Sequence, residues 1–150
     1  MTSMALADEA ATMGLGRRLA GLLGPGEAIC LSGPLGAGKS TLARALIRAL
    51  TSPDEDVPSP TFTLVQFYEG AGVDIAHFDL YRLSDPDEAW EIGLEEALDT
   101  GAALIEWPER LEGRLPPDRL DLALEIDGDH RIARLTPHGR WTGRLERLER

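Results

Sequence analysis

Apolar positions along the chain follow two periods, one near 3.6 and one near 2, with glycine- and proline-rich breaks between them. From Asp8 to Leu23 they fall at Ala11, Leu15, Leu19 and Leu22 or Leu23, a helical spacing that Gly24-Pro25-Gly26 ends. Ala28 to Leu31 is a short apolar run between that turn and Ser32-Gly33, which predicts a buried strand. Lys39 to Leu50 predicts a strong helix with Leu42, Ala45, Leu46 and Ala49 on one face. Thr51 to Pro60, acidic and with three prolines, predicts a surface loop.

Two β-prone runs, Thr61 to Tyr68 and Val73 to Asp79, flank Glu69-Gly70-Ala71-Gly72 and predict an antiparallel hairpin. Asp85 and Glu88 have capping-box spacing with Pro86 at the first helical position, and a helix is expected over Asp87 to Leu98. Ala102 to Ile105 is a further apolar run, closed by Glu106. Leu120, Leu122, Leu124 and Ile126 alternate with Asp121, Ala123 and Glu125, a half-buried strand that Asp127-Gly128 returns through Arg131 to Thr136. Arg140 to Arg150, with Leu145 and Leu148, is expected to form a short helical tail. The order of elements predicts one three-layer α/β domain over residues 1–150 with a mixed parallel and antiparallel sheet.

Composition narrows the class. The 150 residues carry 26 acidic and 15 basic side chains, a formal charge of −11, with 43% hydrophobic residues, enough for one ordinary core. The acidic balance argues against autonomous nucleic-acid binding. A single cysteine, Cys30, excludes an internal disulfide framework and a cysteine-based zinc cluster. No apolar run approaches the roughly 20 residues of a membrane span, and MTSMALADEA does not read as a secretory signal, so a cytoplasmic protein is expected. Fourteen of the basic residues are arginine and one, Lys39, is lysine. That lysine falls inside a candidate phosphate site.

Gly33-Pro34-Leu35-Gly36-Ala37-Gly38-Lys39-Ser40 fits G-x-x-x-x-G-K-[ST], after a predicted strand and before a predicted helix. Such a loop turns its backbone amides, among them those of Gly36, Ala37 and Gly38, toward phosphate oxygens at a helix N-terminus. Lys39 is expected at the β- and γ-phosphates, Ser40 at Mg²⁺ and Thr41 at the α-phosphate. Two strand-end acids, Asp79 and Glu106, compete for the metal. The stretch before Asp79 alternates polar and apolar residues, so by pattern Glu106 is the better metal neighbour. Ser59 or Thr61 is placed to sense the γ-phosphate. Trp107 is expected to exclude water or pack the core. His77 shares a strand face with Asp79 and reads either as its neighbour in the site or as a satisfied strand histidine.

GPLGAGKST, SPTFTLV, HFDLYRL and IEWPE, in that order, resemble the bacterial tRNA threonylcarbamoyladenosine biosynthesis ATPase family TsaE (formerly YjeE), from about Glu9 to Thr136. The resemblance implies a small phosphate-loop ATPase, weak alone, that acts with the TsaB–TsaD pair. That pair places threonylcarbamoyl on N6 of adenosine 37 in tRNAs reading codons that begin with A. Within it, Lys39, Ser40 and Thr41 match the family's phosphate loop and Asp79 its Walker B-like acid. Glu106 matches the acid associated with Mg²⁺. Glu9, Thr12 and Arg131 match further positions near the nucleotide. Pro34 stands where the family commonly has an acid, which stiffens the loop and removes one amide donor, and Ser40 replaces a commoner threonine.

The expected function is therefore a Mg²⁺-dependent ATPase subunit using Lys39, Asp79 and Glu106 in catalysis, with tRNA met only through partners. A small-molecule kinase is the main rival, although no arginine cluster lies between Leu50 and Leu115 to form a lid. A GTP switch is disfavoured by the absence of asparagine and of a second lysine, both needed for N-K-x-D. A nucleotide-sensing interaction module with incidental hydrolysis remains open.

Overall fold

The computed structural model describes residues 1–60 and 63–148. All seven strands among them join one sheet. The strands are β1 (Thr2–Leu6), β2 (Ala28–Ser32), β3 (Val65–Tyr68), β4 (Ile75–Asp79), β5 (Ala102–Glu106), β6 (Arg119–Asp127) and β7 (His130–His138). Their order across the sheet is β1-β7-β6-β2-β5-β4-β3. The four central strands β6, β2, β5 and β4 run parallel, and β3, β7 and β1 are antiparallel to their neighbours. The sheet is mixed, as the sequence predicts.

Helices α1 (Glu9–Ala20) and α2 (Lys39–Leu50) cover one face. Their Leu15, Leu19, Leu42 and Leu46 pack with Ile29, Leu31, Leu104 and Leu122 of the sheet. Two shorter helices, α3 (Asp87–Glu91) and α4 (Leu94–Thr100), lie on the other, where Ala89, Leu94 and Ala97 pack against Phe78, Ala103 and Ile105. Period-2 alternation in the strands separates these two cores, so the molecule has three layers.

Three expectations need correction. The helix expected over Asp87 to Leu98 breaks at Gly93, whose φ of +103° is left-handed, so two helices form. The Asp85 carboxylate does receive the Asp87 amide, at 3.0 Å, but the Glu88 side chain pairs with the Ser84 hydroxyl rather than closing the box on Asp85. The tail forms two 3₁₀ turns, Gly139–Trp141 and Arg144–Arg147, because it folds onto the core through Trp141 and Leu145 instead of extending as a helix. β1 has no counterpart among the elements predicted from the sequence. The hairpin of β3 and β4 forms as predicted, starting at Val65. No helix among the described residues is long and apolar enough to cross a membrane.

Candidate functional site

The loop from Gly33 to Gly38 leaves the C-terminal end of β2 and delivers Lys39 and Ser40 into the first turn of α2. Its bends need glycine. Gly36 and Gly38 have φ of +84° and +103°, and a Cβ on Gly33 would lie 2.5 Å from the Leu124 carbonyl oxygen. Ala37 is fully buried beneath the loop and Leu35 stands almost fully exposed at its tip. The Ala37 amide donates to the Pro34 carbonyl at 3.2 Å and closes a turn within the loop.

Lys39 is buried. Among the described residues its ammonium has no carboxylate partner and sits 4.3 Å above the centre of the Trp107 ring. Trp107 adopts a left-handed φ of +59°, unusual for a tryptophan, where the chain leaves β5. Tyr81 packs on the same ring with centroids 4.9 Å apart. Cation–π attraction thus takes the place of a counter-ion, and an anion arriving at the loop would find an unneutralised cation.

The strand-end acids lie side by side, Asp79 paired in register with Glu106. β4 is buried along its whole length, its polar positions included. His77 makes this compatible with burial: its Nε2 lies 2.7 Å from Glu106 Oε2, with both side chains enclosed. A carboxylate only accepts, so Nε2 carries the proton. Nδ1 of the same ring is buried without a partner among the described residues. His77, Glu106, Ser40 and Ser59 line one small cavity of about 40 Å³. Beside Glu106, Asp79 is also buried, and its Oδ1 accepts from the Tyr81 amide at 3.0 Å. Thr61 lies outside the described residues.

On the other side of the loop, Glu9, Thr12, Gly36, Ala37, Gly38, Thr41 and Arg131 line a cavity of about 180 Å³. Arg131 reaches it from the β6–β7 hairpin and donates to the Gly36 carbonyl at 3.2 Å. Leu6 and Asp8 arrive from β1, which pairs with β7 at Leu6 and Arg131. The Asp8 carboxylate also caps α1 by accepting from the Ala11 amide at 2.8 Å. The structure therefore gathers the loop residues with Glu9, Thr12 and Arg131 around one space, and places Ser40 with Glu106 in an adjoining one. Sequence reasoning did not find the Lys39–Trp107 stack or the place of Asp129 and His130 at the cavity rim. The adjacency of Glu106 and Trp107 hinted at the first, and nothing local signals the second.

Comparison with known proteins gives concordant results. The family described as "Threonylcarbamoyl adenosine biosynthesis protein TsaE" matches residues 6–134. Among curated relatives, "tRNA threonylcarbamoyladenosine biosynthesis protein TsaE" of Rickettsia felis is 40% identical over 121 residues, 81% of this chain and 71% of the relative. The protein of the same name from Nostoc sp. is 39% identical over 143 residues, 91% of this chain and 86% of the relative. The crystal structure of YdiB from Bacillus subtilis superposes with a TM-score of 0.78 at 25% identity, covering 99% of this chain and 96% of that one.

Proposed function

The chain belongs to the TsaE family of threonylcarbamoyl adenosine biosynthesis proteins, and from that premise we propose that it is a Mg²⁺-dependent ATPase subunit that works with the TsaB–TsaD pair. The observation that carries this reading is the ammonium of Lys39, the chain's single lysine, which has no carboxylate partner among the described residues at the mouth of a glycine-built loop. A lysine without a counter-charge at a helix N-terminus attracts an anion, and a nucleotide's phosphates supply one.

The donor set suits Mg²⁺. Ser40 offers a hydroxyl and Glu106 a carboxylate, both hard oxygen ligands, and they share one cavity. No group of three or more His, Cys, Asp or Glu side chains that could hold a metal occurs among the described residues. The rest of the shell would thus come from phosphate and water, as is usual for Mg²⁺ beside nucleotides. The chemistry Mg²⁺ supplies when bound is neutralisation of phosphate charge.

The residues divide the remaining work. Lys39 and the amides of Gly36 and Gly38, on either side of Ala37, hold the phosphates, Ser40 and Thr41 extend that hold along α2, and Arg131, Glu9 and Thr12 border the nucleoside side. Glu106, fixed by His77, positions the metal or the attacking water, while Asp79, anchored on the Tyr81 amide, buttresses the strand ends. Positioning and charge stabilisation suffice for phosphoryl transfer to water, with little covalent chemistry asked of the protein. With −11 of net charge, this chain leaves tRNA to its partners, in the cytoplasm.

Phosphate release from MgATP, with and without the TsaB–TsaD pair, tests the reading. Lys39→Ala is expected to lower release at least 100-fold while the protein keeps its melting transition. Undiminished release from that variant overturns the site, and a wild-type rate indifferent to the pair overturns the partnership.

A further inference from the structure

Charge is unevenly distributed over this acidic chain. α1 and α2 together carry five of its 15 basic residues, Arg17, Arg18, Lys39, Arg44 and Arg48, and one of its 26 acids, Glu9. These two helices are a positive island on a strongly negative molecule. A groove of about 590 Å³ runs between them, and three of the arginines, Arg17, Arg44 and Arg48, line it. Arg48 is committed, since its Nε donates to the Glu55 carbonyl at 3.0 Å. Arg17 and Arg44 are exposed and form no hydrogen bond or ion pair among the described residues. The floor is different in character: Met13, Ala45, Ala49 and Pro53 present apolar surface between the guanidinium groups.

The contents of this groove identify its occupant. A polynucleotide carries evenly spaced charge and would run out of the groove at both ends. At one end it would meet Glu9, and beyond the end of α2 the acidic stretch Asp54, Glu55 and Asp56. It would also gain nothing from an apolar floor. A short segment of protein with a few carboxylates and apolar side chains satisfies both features, because carboxylates pair bidentately with arginine forks while methyl-bearing groups cover the floor. We propose that the α1–α2 groove is the docking site for an acidic, amphipathic segment of a protein partner. Glu9 and Thr41 line both this groove and the cavity of the phosphate loop, so an occupant would touch residues that border the nucleotide. The choice of probe below rests on the proposed partnership with the TsaB–TsaD pair, but the groove itself does not.

The test is titration of the full chain into purified TsaB–TsaD pair, and in parallel into a fluorescein-labelled Glu/Leu peptide and its Lys/Leu counterpart, at low and moderate salt. Arg17→Glu is expected to weaken pair binding about tenfold and R17E/R44E about 100-fold, with a shallower salt dependence. R17K stays within about threefold of wild type. Met13→Gln, which removes apolar contact without adding charge, should weaken binding without changing the salt slope. Arg17 and Met13 lie outside the nucleotide cavities, so R17E and M13Q keep their melting transitions and their basal phosphate release. If the pair binds wild type and R17E/R44E equally, the inference fails while the partnership stands. If wild type does not bind the pair, the partnership fails, and the inference then stands or falls on selective capture of the acidic peptide and its loss in R17E/R44E. Capture of tRNA by the chain alone that Arg17→Glu abolishes would overturn it in favour of an RNA groove.

Discussion

At the scale of single residues, the hydrogen bond between His77 and Glu106 has the sharpest consequences. Glu106 is buried, and His77 Nε2 is its only side-chain partner among the described residues. Removing the imidazole leaves an enclosed carboxylate with an unmade hydrogen bond, a loss of about 2 kcal/mol. His77→Ala should therefore lower the midpoint of urea unfolding and, because Glu106 is no longer aimed, reduce kcat for MgATP tenfold or more with KM little changed. His77→Gln keeps an N–H donor and should recover most of the turnover. Equal damage from both variants in stability and kcat would mean that His77 only fills space. The phosphate loop itself was legible in the sequence, since glycine spacing, lysine and hydroxyl are a local pattern. Its surroundings were not. The alternation in β4 favours Glu106 over Asp79 by pattern, but it says nothing of His77, whose partner lies one strand away in a register no local pattern encodes. The stack of Lys39 on Trp107 depends on a left-handed tryptophan, a conformation that residue type argues against.

At the scale of elements, the site depends on how closely α1 approaches α2. A Cβ on Gly16 would lie 2.8 Å from the Leu42 backbone carbonyl and 3.2 Å from Ala45 Cβ, so the two helices approach backbone to backbone at this point. Backbone cannot move aside as a flexible side chain does. Gly16→Ala should cost about 1–3 kcal/mol, read as a shift in the unfolding midpoint, even though alanine is the better helix former. Because Lys39 opens α2 and Gly38 packs on Thr12 of α1, separating the helices should also weaken nucleotide binding. A variant more stable than wild type, as helix propensity alone predicts, would refute the close crossing. The same scale shows which elements the sequence revealed. α2 and the β6–β7 hairpin stand out because their period or their turn is strong over many residues. β1 is a five-residue edge strand with no turn signal, and it exists because β7 offers it a ladder. The break at Gly93 escaped notice because one glycine inside a helical pattern is usually tolerated.

At the scale of the whole molecule, the clearest long-range tie binds the start of β2 to the far end of the chain. Glu27 is almost fully enclosed, and Arg144 holds its carboxylate with two hydrogen bonds of 2.5 and 2.7 Å. The Gly24 amide adds a third at 2.9 Å. Arg144 also donates to the Leu22 carbonyl at 3.1 Å, and Arg18 to that of Leu148 at 2.8 Å, so the segment carrying Trp141, Leu145 and Leu148 is pinned to the sheet and α1. Burial pushes the Glu27 carboxyl up, but Arg144, the Gly24 amide and Arg140 outweigh it and hold the group below its ordinary value. A carboxylate lowered on folding stabilises the protein fully above the unfolded glutamate range, and that stability is lost as pH falls through the folded value. Arg144→Met removes the main cause of the lowering and leaves burial to act. The variant should lose about 3 kcal/mol at pH 7, where an enclosed carboxylate has lost its main cation. Near pH 4 the gap should narrow, because the unfolded chain takes up its proton there and the stability of the lowered wild-type carboxylate begins to be lost, while burial in the variant favours the neutral carboxyl. The general self-repulsion of a chain of net charge −11 changes with pH in both proteins alike, so the difference between their melting temperatures isolates Glu27. A difference equal at pH 7 and pH 4 would show that Arg144 acts through its packing on Trp141, 5.3 Å from the ring centre, and not through charge.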